Sequence, residues 1–249
     1  MPLSEEQSLR YSRHFPVPGF GREGQEKLLA SRVLIIGAGG LGSPAAMYLA
    51  AAGAGTLAIV DSDAVELSNL QRQLLHGCSD IGRPKVESAA DTLREINPGV
   101  NVIPICLKVD ENNLPEIIAD YDFILECTDN FEAKFMINDA CVKAGKPFCH
   151  GSVIRFFGQV MTWVPGQGPC YRCAFHAPPG EGDALTAREA GVVGASAGVI
   201  GCLQAEEAIK FLLGAGELLT GCLLTCDLLD MEFQKIPLLR DPGCPACGR

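Results

Sequence analysis

Cations are scarce in this chain: 20 Lys and Arg face 30 Asp and Glu across 249 residues, a formal net charge of −10. A nucleic-acid groove or an anionic membrane surface recruits clustered Lys and Arg, so neither is expected as a partner. No stretch approaches the ~18 uninterrupted apolar residues that span a bilayer. The opening residues, Met-Pro-Leu-Ser-Glu-Glu, have neither the charged start nor the apolar run of an export signal. Internal repeats, low-complexity tracts and a linker long enough to separate domains are missing too. Cysteine is plentiful, by contrast. Twelve of them without an export signal point to a reducing compartment, where thiols stay free or bind metal. The expectation is a cytoplasmic protein, and its 47 % apolar content is enough to bury a sizeable core.

The pattern of apolar residues predicts the order of elements. A short helix is expected from Arg22 to Ala30, then the run Arg32 to Gly37, whose continuous apolar character suits a strand buried on both faces of a parallel sheet. A helix follows with Leu41, Ala45, Tyr48, Leu49 and Ala52 on one face. Thr56 to Val60 is a second strand, and Pro84-Lys85 opens a helix whose inner face carries Val86, Ala89, Ala90, Leu93 and Ile96. Strands recur near 101–107, 122–127 and 147–151, with a helix from Phe131 to Ala144. Such alternation predicts an α/β fold: a Rossmann-like, doubly wound, mostly parallel sheet that continues into a mixed sheet. The C-terminal part is expected to hold a hairpin turning at Phe157-Gly158, a loop rich in Pro and Gly from Pro165 to about Gly182, a helix with Ile200, Leu203, Ala208, Phe211 and Leu212 inward, and two strands near 221–236. One domain is expected over 1–249, with an arm and helix at 1–30, a nucleotide-binding half at 31–151 and an elaborated half at 152–249.

Gly37-Ala-Gly39-Gly40-Leu-Gly42 lies between a strand and a helix, where glycines permit a tight turn and let backbone N–H groups approach phosphate. Asp61, at the end of the second strand, stands where a carboxylate accepts hydrogen bonds from ribose hydroxyls. By themselves these features suit an NAD enzyme. Three others shift the balance. Ser68-Asn-Leu-Gln-Arg72-Gln73 carries a cation in a polar stretch. Lys85 sits in the first turn of a helix, where a cation opposes the helix dipole unless an anion joins it, although a lone lysine is usually a solvated one. Asp129-Asn130 follows a strand's carboxyl end, and a carboxylate beside phosphates is repulsive without Mg²⁺ between them. Nucleotidyl transfer uses Arg, Lys and a metal-binding Asp around phosphates; hydride transfer does not.

Cys170-Tyr-Arg-Cys173 and Cys244-Pro-Ala-Cys247 are two C-x-x-C pairs separated by 70 residues. Thiolates at this spacing can both face one ion, and two pairs complete a closed tetrahedral site for structural Zn²⁺. A redox pair is the competing reading, and it is set aside because the start-of-helix setting is not evident. The other eight cysteines read mostly as small core residues.

Taken in order, these motifs resemble the MoeB/ThiF/HesA family, relatives of the ubiquitin-activating enzymes, and most of all MoeB-type proteins. Arg10-Tyr-Ser-Arg13, Gly24-Gln-Glu, the glycine loop, Asp61, Ser68 to Gln73, Arg83-Pro-Lys85-Val-Glu-Ser, Cys127-Thr-Asp129-Asn130, Gly158-Gln and both cysteine pairs carry the resemblance. It implies a symmetric homodimer that uses ATP to adenylylate the C-terminal glycine carboxylate of a ubiquitin-like sulfur carrier ending in Gly-Gly. Gly37, Gly39, Gly40, Gly42, Asp61, Asp63, Ser68, Asn69, Leu70, Gln71, Arg72, Lys85, Asp129 and Asn130 would line the ATP site. Arg72, Gln73 and Lys85 would counter phosphate charge, Asp129 would position Mg²⁺, and Arg13 would reach the neighbouring subunit's site. The 152–249 half would bind the carrier. Alternatives are a related enzyme acting on tRNA, a peptide or a small acid, and a scaffold that binds carriers without catalysis. One departure stands out. Where many relatives have a cysteine before Glu-Ala-Gly, this chain has Ala187, which predicts that the enzyme stops at the acyl-adenylate and relies on a separate sulfur donor.

Overall fold

The computed structural model describes residues 3–180 and 187–248, together with the side chains of all these but 187 and 188. An N-terminal arm holds α1 (Glu5–Arg10), started by a capping box between Ser4 and Gln7, and α2 (Gly21–Ala30). Alternation then sets in, with β1 (Arg32–Ile36), α3 (Gly42–Ala52), β2 (Thr56–Val60), α4 (Lys85–Ile96) and β3 (Asn101–Ile105). It continues through α5 (Leu114–Ala119), β4 (Phe123–Glu126), α6 (Phe131–Ala144) and β5 (Phe148–Ile154). Beyond these come β6 (Phe157–Trp163), α7 (Tyr171–Phe175), α8 (Ala187–Ala190), α9 (Gly194–Leu213), β7 (Cys222–Asp227) and β8 (Glu232–Pro237).

All eight strands form one mixed sheet in the order β3-β2-β1-β4-β5-β6-β7-β8. Pairing is parallel from β3 across to β5 and antiparallel from β5 to β8. The apolar runs explain the centre. Val33, Leu34, Ile35 and Ile36 are all buried because both faces of β1 are covered. Val33 and Ile35 pack with the layer of α3, α4 and α9, whereas Leu34 and Ile36 pack with that of α5, α6 and α7. Each such apolar side chain contributes roughly 1.5–3 kcal/mol on burial. The winding reverses at β1, with β2 and β3 on one side and β4 and β5 on the other. Connections leaving the carboxyl ends of β1 and β4 therefore diverge and open a crevice between them, which is where open α/β sheets bind ligands.

Several local expectations are corrected. Tyr48 points out of α3 and is exposed, so the helix's core face is Ala45, Ala46, Leu49 and Ala50. The hairpin turns at Arg155-Phe156, two residues before Phe157-Gly158. Arg155 takes the left-handed turn conformation, with φ 53°. Gly158 lies within β6 for another reason: a Cβ there would sit 2.4 Å from Ile200. Short helices α1 and α8 fall outside the expected elements, and so do two others, α5 and α7. The second matters because Cys170 is its N-cap, so the start-of-helix setting held to be missing from this cysteine pair is present. Among the described residues no helix is long and apolar enough to cross a membrane.

Candidate active site

The glycine loop is shaped by two positions that tolerate no side chain. Gly37 has φ +105°, and a Cβ on it would lie 2.7 Å from the Cys127 carbonyl oxygen. A Cβ on Gly42 would lie 1.9 Å from the oxygen of Gly37 itself. The loop thus folds tightly against the strand end at Cys127 and starts α3 at once. Gly39 and Gly40 do a different job. A Cβ on Gly40 would reach 3.4 Å from the Arg72 side chain, and one on Gly39 would reach 3.7 Å from Gln73 Nε2. These two glycines thus lie alongside the Arg72 and Gln73 side chains, with the Ala197 methyl beside Gly40. Gln73 Oε1 and Ser43 Oγ are buried here without hydrogen-bond partners, so the cradle retains unused polar capacity that a polyanionic nucleotide suits.

Asp61 braces the loop: its Oδ2 accepts from Ala38 N at 2.8 Å and its Oδ1 from Asp63 N at 2.8 Å. Asp63 in turn receives the Lys85 ammonium at 2.8 Å. Lys85 is buried and ion-paired, which replaces the reading of a solvated lysine. The 68–73 segment begins in a 3₁₀ turn, where Asn69 Oδ1 accepts from Glu66 N and the Arg72 guanidinium donates to Ser68 O at 3.1 Å. Gln71 presses its carbonyl against the start of α9, so that a Cβ on Gly194 would be 2.3 Å away. Leu70 completes this turn, half-buried.

On the other side of the crevice, Asn130 caps α6 by accepting from Ala133 N at 2.8 Å. Asp129 precedes it, exposed, and its carboxylate forms no hydrogen bond or ion pair with the described residues. The structure thus brings the glycine loop, Asp61, Asp63, Arg72, Gln73 and Lys85 into one connected set, with Asp129 and Asn130 at the neighbouring strand end. Arg13 is exposed on the N-terminal arm, before α2.

Sequence reasoning missed the support beneath Asp129. Glu126 ends β4 fully buried, and the Lys134 ammonium lies 3.0 Å from its Oε2. His150 Nδ1 is 2.6 Å from the same oxygen, while Thr128 donates through both N–H and O–H to Oε1. Lys134 also donates to the carbonyls of Thr128 and Gly151, at 2.7 and 2.9 Å. Burial alone would raise the Glu126 pKa, but Lys134 and the His150 and Thr128 hydrogen bonds outweigh it and hold the value at about 2. A signal was available: an acid at the end of a run predicted to be buried on both faces requires a partner.

The four sulfurs of Cys170, Cys173, Cys244 and Cys247 lie within 4.8 Å of one another. Cys170 and Cys244 are 3.6 Å apart and Cys173 and Cys247 3.4 Å. Tetrahedral thiolates about 2.3 Å from a zinc ion stand roughly 3.8 Å apart, so the cluster fits a closed Zn²⁺ site. Asp241 N donates to Cys173 Sγ at 3.5 Å, which suits a thiolate. Arg172, inside the first pair, grips Asp139 of α6 with bonds of 2.6 and 2.7 Å and ties the cluster to the parallel half. The Leu185–Gly191 stretch is only partly open to description: residues 181–186 and the Ala187 side chain, the position singled out above, lie outside the described residues.

A glycine loop at the switch point of an open α/β sheet, backed by an arginine and a lysine, defines a nucleotide-binding protein of the doubly wound class. More particularly, the chain belongs to the ThiF family, whose model matches residues 11–246. It is 46 % identical to the molybdopterin-synthase adenylyltransferase of Escherichia coli over 99 % of both chains. It is 47 % identical to the SAMP-activating enzyme E1 of Haloferax volcanii, over 100 % of this chain and 92 % of that one. Against the adenylyltransferase and sulfurtransferase MOCS3 of Sus scrofa the identity is 44 %, and the chain spans only 54 % of that protein's length. Among solved structures, E. coli MccB with ATP aligns at a TM-score of 0.82 and 25 % identity, over 96 % of this chain and 73 % of MccB.

Proposed function

We propose that this protein uses ATP to adenylylate the C-terminal carboxylate of a small ubiquitin-like sulfur carrier, releasing pyrophosphate. The identity of 46 % to a molybdopterin-synthase adenylyltransferase across nearly the whole of both chains carries the reading. The carrier's terminal carboxylate is already ionised at neutral pH and needs no general base. What it needs is alignment with the α-phosphorus and relief from repulsion between two anions. Backbone N–H groups at Gly39 and Gly40 would hold the phosphates, Arg72 and Gln73 would flank them, and Asp61 would reach the ribose. Lys85, anchored by Asp63, would exchange that partner for phosphate oxygens. Asp129 would hold Mg²⁺, which supplies Lewis-acid neutralisation of those oxygens. Zn²⁺ in the four-cysteine cluster would be structural, since no coordination position stays open. The working form would be a homodimer in a reducing cytoplasm, with Arg13 completing the partner's site and sulfur arriving from a separate donor. Pyrophosphate exchange into ATP tests the reading. Exchange that depends on a carrier ending in Gly-Gly is expected, whereas ATP binding without exchange for any carrier would favour a scaffold.

A further inference from the structure

His76 is buried beneath the glycine loop, outside every role assigned so far. Its Nε2 lies 3.1 Å from the Ala38 carbonyl oxygen and its Nδ1 2.9 Å from Ser88 Oγ on α4. A carbonyl only accepts, so Nε2 must carry the hydrogen, and in the neutral ring Nδ1 then accepts from the Ser88 hydroxyl. Burial lowers the His76 pKa below its usual 6.5. Lys85 lowers it further, and this outweighs the Ala38 hydrogen bond and the charges of Asp80 and Asp61, which raise it. The ring is therefore neutral at pH 7, as the hydrogen-bond pattern requires.

The Ala38 carbonyl shares a planar trans peptide with the Gly39 N–H, and in such a unit the two bonds point in opposite directions. Drawing the oxygen inward to His76 turns the Gly39 N–H outward into the cradle. Asp61 holds the preceding N–H of Ala38 from the other side at 2.8 Å. Residue 38 is thus clamped at both of its polar backbone atoms, and the freedom that glycine gives residue 39 is removed where it would blur the aim. We infer that His76 is a positioning residue: through the Ala38 carbonyl it presets the Gly39 N–H for the nucleotide's phosphates, before ATP arrives.

This rests on the ATP-using reading above, so the test measures nucleotide binding separately from chemistry. His76→Phe keeps the ring's bulk and removes the donor, whereas His76→Gln keeps an N–H donor near the Nε2 position. Calorimetric ATP affinity and KM for ATP should weaken by about 10- to 100-fold in His76→Phe, the scale of a misplaced binding group, with a smaller change in kcat. His76→Gln should recover most of that loss. Equal affinity in parent and His76→Phe, both folded by thermal melting, overturns the inference. So does an equal loss in folded Phe and Gln variants, which would mark a packing role. Should His76→Phe not fold, His76→Leu, which also removes the donor, must still weaken ATP binding; unchanged affinity there also overturns it. If the parent binds ATP and His76→Phe weakens it, yet no carrier supports exchange, the inference stands and the proposed reaction falls.

Discussion

The parallel and antiparallel ends of the sheet hold themselves together by different means. At the parallel end β1, β2 and β4 are sandwiched between helices, and their apolar side chains vanish into two cores. The loops after β1 and β4 can then be short, and the longer one after β2 is pinned, with Asp61 and Glu126 as internal anchors. At the antiparallel end every residue of β8 is exposed, and Leu229, Met231, Phe233 and Ile236 remain in water. Apolar burial secures little of that edge, and the four sulfurs bring the segment after β8 into the core cluster shared with Leu34 and Ile36. The parallel end relies on buried area, whereas the outer edge would gain from a metal cross-link beside the buried Val160, Met161 and Trp163. The glycine loop and Asp61 sit at the first of these ends, away from the cysteine pairs in the chain.

The largest effect should come from breaking the cross-link. Cys244→Ser, or exhaustive chelation, should lower the melting temperature by roughly 10 °C or more on the order-of-magnitude scale of structural zinc, worth ~10–16 kcal/mol in small peptides. ATP affinity should fall far less. Loss of both together would mean that the two ends are not separable. Next is Lys134→Met, which strands the buried Glu126 carboxylate and should cost about 3–5 kcal/mol in urea unfolding. Because Lys134 also holds the Thr128 carbonyl, this variant should weaken the nucleotide site as well, the reverse of the cysteine variant.

Lys85→Ala and Asp129→Ala should each lower carrier-dependent exchange by about 100-fold with little change in melting temperature, as expected for electrostatic groups acting on phosphate. Near-normal exchange in either would remove that residue from the site. Mixing Arg13→Ala with Lys85→Ala protein should restore a fraction of activity if each site draws on two subunits. No recovery after proven subunit exchange would confine the site to one chain. The smallest effect is that of acid. His76 and His150 are held below 6.5 by burial, so the unfolded chain binds more protons. Their contribution is complete above pH 6.5 and is lost as pH falls through the folded values. Glu126, depressed from 4.5 to about 2, adds a further loss across that lower window. A urea midpoint that rises on acidification from pH 7 to about pH 5 would contradict these environments.

Legibility in the sequence follows the same division. The strand and helix alternation from Arg32 to Gly151 was readable because period and length agree there, and α6 was delimited at Phe131–Ala144 by its Asn130 cap and terminal Gly145. The glycine loop and Asp61 were readable because their chemistry is local. The hairpin was misplaced because Gly158, the obvious turn residue, is a glycine for Ile200's sake, while Arg155 turns the chain without one. Helix α5 was hidden by its six residues and internal Pro115, and α7 by the Pro- and Gly-rich loop around it. Glu126, Lys134 and His150 lie up to 24 positions apart, and no spacing rule joins a strand end to a helix and the next strand. His76 stayed silent for the same reason, since its partner Ala38 is 38 positions away.

The cysteine cluster also sets an order in time. Its two halves are separated by the whole of α9, β7 and β8, so the sulfurs can meet only after those elements have docked on the sheet. Contacts of such long sequence separation form late, because the loop between them must close first. An ion held by all four thiolates would therefore bind after those elements have docked. Metal content per chain would then report the fraction of molecules in which the two cysteine pairs have met.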